Sequence, residues 1–304
     1  MKIQALKRAA RYIGTVLMII SIVFIINRIV NLGVDFSHFF TLRYAQFFIA
    51  AVLIYSSGIY ILANCWRVIL TVIARKELNR QSVNSIFIKA NIFKYLPGNI
   101  MQFVGRNLLG SELNIPQRAI ALSSLFEIAA IGMVSFILAL LTGWRALFEL
   151  IGANTKLPLI ITLTVIIIIA AATTVIILRE RVRVYLNLAA GKAILKCAVG
   201  YTLFFFLLFL AFSAFLWLEL PEFHGLLKIA SAVIISWLAG FVVIGAPGGI
   251  GVREAVLLFV LGEEYGEGVI LYTSILQRFS MMLGDVVIYL IVVLWQKRVK
   301  RPDF

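Results

Sequence analysis

Long apolar runs alternate with short polar stretches along the whole chain. Six runs are long enough to cross a bilayer as helices, since about 20 apolar residues span its hydrocarbon core. The pattern therefore predicts an all-α polytopic membrane protein in which residues 1–304 form a single membrane domain. The six predicted spans are residues 12–32, 44–72, 118–144, 157–178, 193–217 and 268–295.

Two further apolar stretches are interrupted by proline followed by glycine. The first, residues 82–112, is broken at Pro97-Gly98, and the second, residues 226–262, is broken at Pro247 and the two glycines after it. Proline removes a backbone N–H and clashes with the preceding turn, while glycine permits positive φ, so neither stretch can continue as one helix. The freed peptide groups are tolerated at membrane depth only against protein or a wet cavity. We predict two re-entrant hairpins; counted as crossings, they would give seven or eight helices.

The distribution of charge places these elements relative to the membrane. The formal net charge is +14 in a chain that is 62% hydrophobic, and the mean hydropathy is +1.02. Lysine and arginine lie in short clusters beside the apolar runs, which is the positive-inside pattern and argues against nucleic-acid binding. With both hairpins re-entrant, the basic loops at 75–80 and 179–196 and the tail at 297–301 share one side with the N-terminus. We therefore predict a multi-pass protein of the cytoplasmic (inner) membrane, with both termini in the cytoplasm.

The second half of the chain repeats features of the first. Pro247 follows Pro97 by 150 positions, and the same offset maps residues 123–127 onto 273–277 and the first two spans onto the fourth and fifth. Three crossings in each half would make the second copy inverted, an arrangement from which transporters build a site near the midplane. The alternative is chance similarity between apolar helices. The predicted repeats are residues 1–150, with hairpin 82–112, and residues 151–304, with hairpin 226–262.

An arginine follows each helix break, and a third lies inside the last span. A half-helix that begins after a break directs free N–H groups at its surroundings, and a guanidinium adds a bidentate donor for phosphate or carboxylate. For Arg106 the alternative is contact with ordinary headgroups at the interface. The candidate residues for binding a lipid headgroup are Arg106, Arg253, Arg278, Pro97, Gly98, Asn99, Pro247, Gly248, Gly249 and Gly251.

Three acidic residues accompany these arginines. Glu127 lies in the third span, Asp285 in the last span and Glu254 directly after the second break. Carboxylates are costly in lipid, so we expect them to balance charge, bind an amine or carry a proton. The 150-residue offset maps Glu127 onto Gln277, which directly precedes Arg278. This suggests that Glu127 and Arg278 pair across the repeat axis. The alternative is that ion pairs here only hold the helices together.

Motifs for other chemistry are missing from the sequence. It contains no Walker loop, HExxH, nucleophile elbow or Asp-rich metal motif, and its two histidines lie in predicted loops. We therefore predict no catalytic residues, no metal ligands and no cofactor, and we expect a transporter rather than an enzyme.

The residues around the breaks carry a resemblance to a known family. Pro-Gly-Gly-Ile-Gly-Val-Arg-Glu at 247–254, together with Lys-Tyr-Leu-Pro-Gly at 94–98 and Arg106, resembles the signature of the flippase-like membrane region of bacterial lysylphosphatidylglycerol synthases. That region also occurs as stand-alone bacterial and archaeal proteins. Because this chain ends at Phe304, the resemblance implies the lipid-moving part without the soluble aminoacyl-transfer domain.

These observations lead to one expected function and two alternatives. We expect a flippase or transporter that moves a phospholipid or a lipid-linked headgroup, on a polyprenyl phosphate or a glycolipid, across the cytoplasmic membrane. The alternatives are an intramembrane transferase of lipid-linked sugars or headgroups, and a non-catalytic membrane subunit of a lipid synthase. The expected partner is a membrane lipid with an anionic or zwitterionic headgroup; a homo-oligomer and a lipid-synthesis enzyme remain open as further partners.

Overall fold

The computed structural model describes residues 41–95, 100–152, 188–243 and 247–299. Within these ranges every regular element is a helix and no strand occurs, so the all-α prediction is confirmed for them. The α-helices are α1 Leu42–Ala74, α2 Arg80–Asn91, α3 Met101–Gly110, α4 Gln117–Gly152, α5 Leu188–Glu219, α6 Leu226–Val242, α7 Val252–Tyr265 and α8 Glu267–Val299. Short 3-10 helices lie at Ile92–Tyr95, Ser111–Leu113 and Pro247–Gly249.

Helices α1, α4, α5 and α8 are each long and apolar enough to cross a membrane. They contain 33, 36, 32 and 33 residues, and they cover the spans predicted at 44–72, 118–144, 193–217 and 268–295. A polytopic membrane protein follows from their length and composition. The other two predicted spans, residues 12–32 and 157–178, lie outside the described residues, so the count of six stays a prediction.

The two interrupted stretches form pairs of shorter helices. Helices α2 and α3 have 12 and 10 residues, and α6 and α7 have 17 and 14. At 1.5 Å per residue, none reaches across about 30 Å of hydrocarbon. Within each pair the two helices pack against each other. We call α2 with α3 the first short-helix pair, and α6 with α7 the second short-helix pair.

Element boundaries recur along the chain at nearly constant spacing. Helix α8 begins at Glu267, 150 positions after α4 begins at Gln117, and α7 begins at Val252, 151 positions after α3 begins at Met101. The packing recurs as well. The contact of α4 with α6 corresponds to the contact of α8 with α2, and the contact of α1 with α8 corresponds to that of α5 with α4. The order of elements is therefore the same in the two described halves, whereas the inversion of the second copy stays a prediction.

Helix α3 has the polarity of an element that faces lipid on one side and protein on the other. Its buried residues include Gln102 and Arg106, while Val104 and Leu108 are 45% and 68% exposed. A helix at a water surface would bury the apolar residues instead. Helix α3 therefore presents its polar face to the interior of the helix bundle.

Candidate functional site

The segment just before the first helix break meets the second break inside the bundle. The 3-10 turn at Ile92–Tyr95, which ends α2, contacts the turn at Pro247–Gly249, which precedes α7. The contact is close, because a Cβ built on Gly248 would lie 3.3 Å from the Tyr95 ring. Gly248, Gly249 and Gly251 have φ values of 58°, 76° and 85°, a region that favours glycine. The glycines of the second break therefore shape a turn that packs against the first.

A cavity lies beside this contact. The centres of water molecules can occupy about 80 Å³ of it, which is room for several waters. It is lined by residues of both short-helix pairs and of all four long helices. The charged side chains in its wall are Lys94, Arg106, Glu127, Arg253 and Arg278.

Arg106 and Glu127 form a buried ion pair between α3 and α4. Their side chains are 3% and 7% exposed, and Arg106 Nη1 donates a hydrogen bond to Glu127 Oε2. The guanidinium also lies 4.0 Å from the centroid of the Phe87 ring and 5.2 Å from that of Trp66. The expected pairing of Glu127 with Arg278 is wrong. Helix α3 packs directly on α4, so the arginine after the first break reaches this carboxylate first.

Asp285 binds the end of α2 to the last helix. Its carboxylate accepts hydrogen bonds from Asn91 Nδ2 at 2.7 Å and from the Tyr95 hydroxyl at 2.5 Å. Lys94 Nζ lies 2.6 Å from Asp285 Oδ2 and also donates a 3.0 Å hydrogen bond to the Tyr55 hydroxyl. Asp285 therefore neutralises Lys94.

No role for Tyr55 or Asn91 in this cluster was predicted from the sequence, and Lys94 and Tyr95 were named only as part of the family resemblance. Lys94 and Tyr95 lie just before a helix break, and this position was the feature of the sequence that could have indicated their role. Nothing in the spacing along the chain pointed to Tyr55.

Glu254 serves mainly to cap helix α7. Its Oε2 accepts a 2.7 Å hydrogen bond from the Gly251 N–H, which satisfies a free donor at the helix start. Arg278 Nε lies 3.8 Å from the other carboxylate oxygen, a distance too long for a hydrogen bond. Arg278 Nε and Nη2 are buried and have no hydrogen-bond partner among the described residues.

Arg253 runs past two glycines into the same cavity. A Cβ built on Gly240 would lie 2.7 Å from Arg253 Nε, and one built on Gly249 would lie 2.9 Å from it. The guanidinium carbon lies 5.7 Å from the centroid of the Trp237 ring. Trp237 follows Phe87, the ring beneath Arg106, by 150 positions. Both halves of the chain thus place an arginine near an aromatic ring, and the two rings, though not the two arginines, are related by the 150-residue offset. This feature was not predicted from the sequence.

The structure brings most of the candidate residues together. Arg106, Arg253, Arg278, Gly248 and Glu127 line the cavity. Glu254 and Asp285 contact cations of its wall. Pro247 begins the second turn, whereas Pro97, Gly98 and Asn99 lie outside the described residues. Among the described residues, no group of three or more His, Cys, Asp or Glu side chains could hold a metal ion.

Comparisons with other proteins add nothing to this geometry. No protein-family model matches the chain, and neither a curated protein nor a solved structure matches it.

Proposed function

We propose that this protein is a lipid flippase or transporter of the cytoplasmic membrane that moves a phospholipid or a lipid-linked headgroup across the bilayer. The observation that carries the proposal is the cavity beside the contact between the turn at Ile92–Tyr95 and the second break. Three arginines line it, in a chain whose four long helices suit a membrane. Charged residues at membrane depth are costly and commonly mark the path of a polar substrate.

The two faces of helix α3 support the movement of a lipid along this cavity. Helix α3 buries Arg106 towards the cavity and exposes Leu108 outwards. A headgroup could therefore enter a polar space while its acyl chains stay along the apolar outer surface. The barrier to lipid movement is the transfer of a polar headgroup through hydrocarbon, so a sheltered polar space near the midplane lowers it.

The topology belongs to the same proposal. We propose six spans and two re-entrant hairpins, arranged as an inverted repeat with both termini in the cytoplasm. The recurring helix boundaries, the contact between the breaks and the positive-inside distribution of charge support this arrangement. Rocking of one repeat against the other would expose the cavity to each side in turn. We also propose that the chain belongs to the flippase-like family, on the basis of the motif at 247–254 together with Lys-Tyr-Leu-Pro-Gly at 94–98 and Arg106.

The engagement of the carboxylates favours transport over the transferase alternative. Glu127 is paired with Arg106, and Asp285 is paired with Lys94. Glu254 caps a helix start. A transferase needs a general base that is free to take a proton from its substrate, and these three carboxylates already have partners.

A vesicle assay tests the proposal. The purified protein is reconstituted with a fluorescent phospholipid, and a bilayer-impermeant quencher is added outside. We expect the wild type to expose the inner-leaflet lipid to the quencher, and we expect Arg253→Gln to slow this exposure. Arg43→Gln is the matched control, because Arg43 is exposed and lies over Trp217 at the start of α1, away from the cavity. Lipid that stays protected in wild-type vesicles contradicts the proposal.

A further inference from the structure

The charges around the cavity do not cancel. Four cations line it, namely Lys94, Arg106, Arg253 and Arg278. Three carboxylates pair with them: Asp285 with Lys94, Glu127 with Arg106, and Glu254 with Arg278. Among the described residues, no carboxylate lies within ion-pair distance of Arg253. One positive charge is therefore left over.

The leftover charge lies in the second short-helix pair. Arg253 Nε is buried without a hydrogen-bond partner among the described residues, and so are Nε and Nη2 of Arg278. The Glu254 carboxylate is 3.8 Å from Arg278 and already accepts the Gly251 N–H. Buried guanidinium donors without acceptors are costly. An anion in the cavity would supply acceptors for these donors.

Two adjacent glycines bring these guanidinium groups to the same turn. A Cβ built on Gly248 would lie 3.6 Å from Arg278 Nη2, and one built on Gly249 would lie 2.9 Å from Arg253 Nε. Like charges repel strongly in a medium of low dielectric constant. A shared anion would relieve this repulsion, and the guanidinium fork matches a phosphate well.

Among the described residues, the arginine of the first short-helix pair differs from Arg253 in its charge balance. Arg106 Nε is also buried without a hydrogen-bond partner, but the positive charge of Arg106 is compensated. The Arg106 guanidinium is bound by Glu127 and lies near the Phe87 and Trp66 rings. Its charge is neutralised before any ligand arrives. Arg106 therefore belongs to the wall of the cavity, although the sequence suggested it as a headgroup ligand.

We propose that Arg253 and Arg278 together bind the phosphate of a lipid headgroup that carries one net negative charge. The inference rests on the proposed function and narrows its substrate class. A phosphodiester with no other charge brings the cavity to neutrality. A zwitterionic headgroup brings an ammonium group for which no carboxylate of the described cavity wall is free. A headgroup with a net positive charge adds to the excess.

Binding to the purified full chain tests the charge class. Native mass spectrometry compares phosphatidylglycerol, with one net negative charge, with phosphatidylcholine, which is neutral overall, and lysylphosphatidylglycerol, which is positive overall. We expect phosphatidylglycerol to bind at least about 10-fold more tightly than either of the other lipids. This difference in affinity corresponds to the free energy of about one charge-assisted hydrogen bond. Equal binding of the three lipids overturns the inference. Inorganic phosphate is the competitor: if it displaces the lipid at equal concentration, the ligand is free phosphate and the lipid assignment is wrong.

Variants test the two arginines. Arg253→Gln should weaken phosphatidylglycerol binding about 10- to 100-fold, while the exposed-site control Arg43→Gln should keep the lipid preference. Glu254→Gln removes one negative charge, so the excess rises to two positive charges. The preference should then shift towards phosphatidic acid, whose phosphate monoester carries more negative charge. Unchanged binding by a folded Arg253→Gln variant overturns the inference.

The outcomes separate this site from the proposed function. Selective binding of phosphatidylglycerol without movement in vesicles would contradict the transport proposal and support the site. Movement of neutral and anionic lipids at the same rate, together with unselective binding, would support transport and contradict the site.

Discussion

Lys94 Nζ lies 2.6 Å from Asp285 Oδ2, and this ion pair joins the first helix break to the last helix. Asn91 and Tyr95 donate to the same carboxylate. Three residues from the end of α2 therefore converge on one side chain of α8. This buried acid therefore ties the segment just before the first break to α8.

Removal of the Asp285 charge should destabilise the protein. Asp285→Asn leaves Lys94 without its counter-charge, and loss of one partner of a buried pair costs about 3–5 kcal/mol. Lys94 is 15% exposed, so we expect the lower end of that range. Thermal unfolding in detergent, followed by tryptophan fluorescence, measures the change.

A double variant shows that the pair itself is responsible. Lys94→Met removes the other charge, and Asp285→Asn combined with Lys94→Met should unfold at a higher temperature than either single variant. If the effects of the two single variants simply add, the ion pair does not couple the break to α8.

The Arg106–Glu127 pair should behave as structure rather than as a ligand site. Arg106→Met or Glu127→Leu alone leaves a buried charge unpaired and should cost about 3–5 kcal/mol. The double variant removes both charges and should recover to within about 1–2 kcal/mol of wild type, since apolar replacements of buried pairs are often neutral. Lipid preference should not change in the double variant. A double variant that is stable but no longer prefers phosphatidylglycerol would assign the phosphate to Arg106.

The sequence was sufficient for most of the long helices. Helix α1 begins two residues before the predicted span and ends two residues after it, because an uninterrupted apolar run has few alternatives to a helix in lipid. Helix α4 instead continues to Gly152, beyond the predicted end at residue 144. The added residues include Ala, Leu and Glu, which favour helix whether or not they lie in hydrocarbon. Hydropathy marks the apolar part of a helix and not its end.

The pairing of charges could not be read from the sequence. Glu127 pairs with Arg106 because α3 packs on α4, whereas the repeat offset suggested Arg278. Tyr55 reaches Lys94 because α1 packs on α2. Such pairs depend on which helices are neighbours, and apolar periodicity carries little information on this.

Gly249 should tolerate no side chain. Its φ of 76° is strained for alanine, and a Cβ would lie 2.8 Å from Gly240 Cα and 3.0 Å from Gly240 O. These are backbone atoms that cannot rotate away. We expect Gly249→Ala to cost about 2–4 kcal/mol in unfolding free energy and to weaken lipid binding, because Arg253 Nε lies on the same side. Gly132→Ala is the control: nothing lies within 4 Å of a Cβ there, so it should be neutral or slightly stabilising. Equal stability of the two variants would contradict the close approach.

Gly284 sets the distance between α1 and α8. A Cβ there would lie 2.7 Å from the Tyr55 ring and 3.1 Å from the carbonyl oxygen of Val52, and Ser56 Oγ donates a 2.9 Å hydrogen bond to Gly284 O across the same contact. Membrane helices use small residues for such close approaches. We therefore expect Gly284→Ala to cost about 1–3 kcal/mol and, by displacing Tyr55 from the cavity wall, to slow lipid movement in vesicles. Gly268→Ala on the same helix, where a Cβ would meet nothing within 4 Å, should leave both measurements unchanged; the same loss in both variants would mean that α8 responds to any alanine and not to this contact.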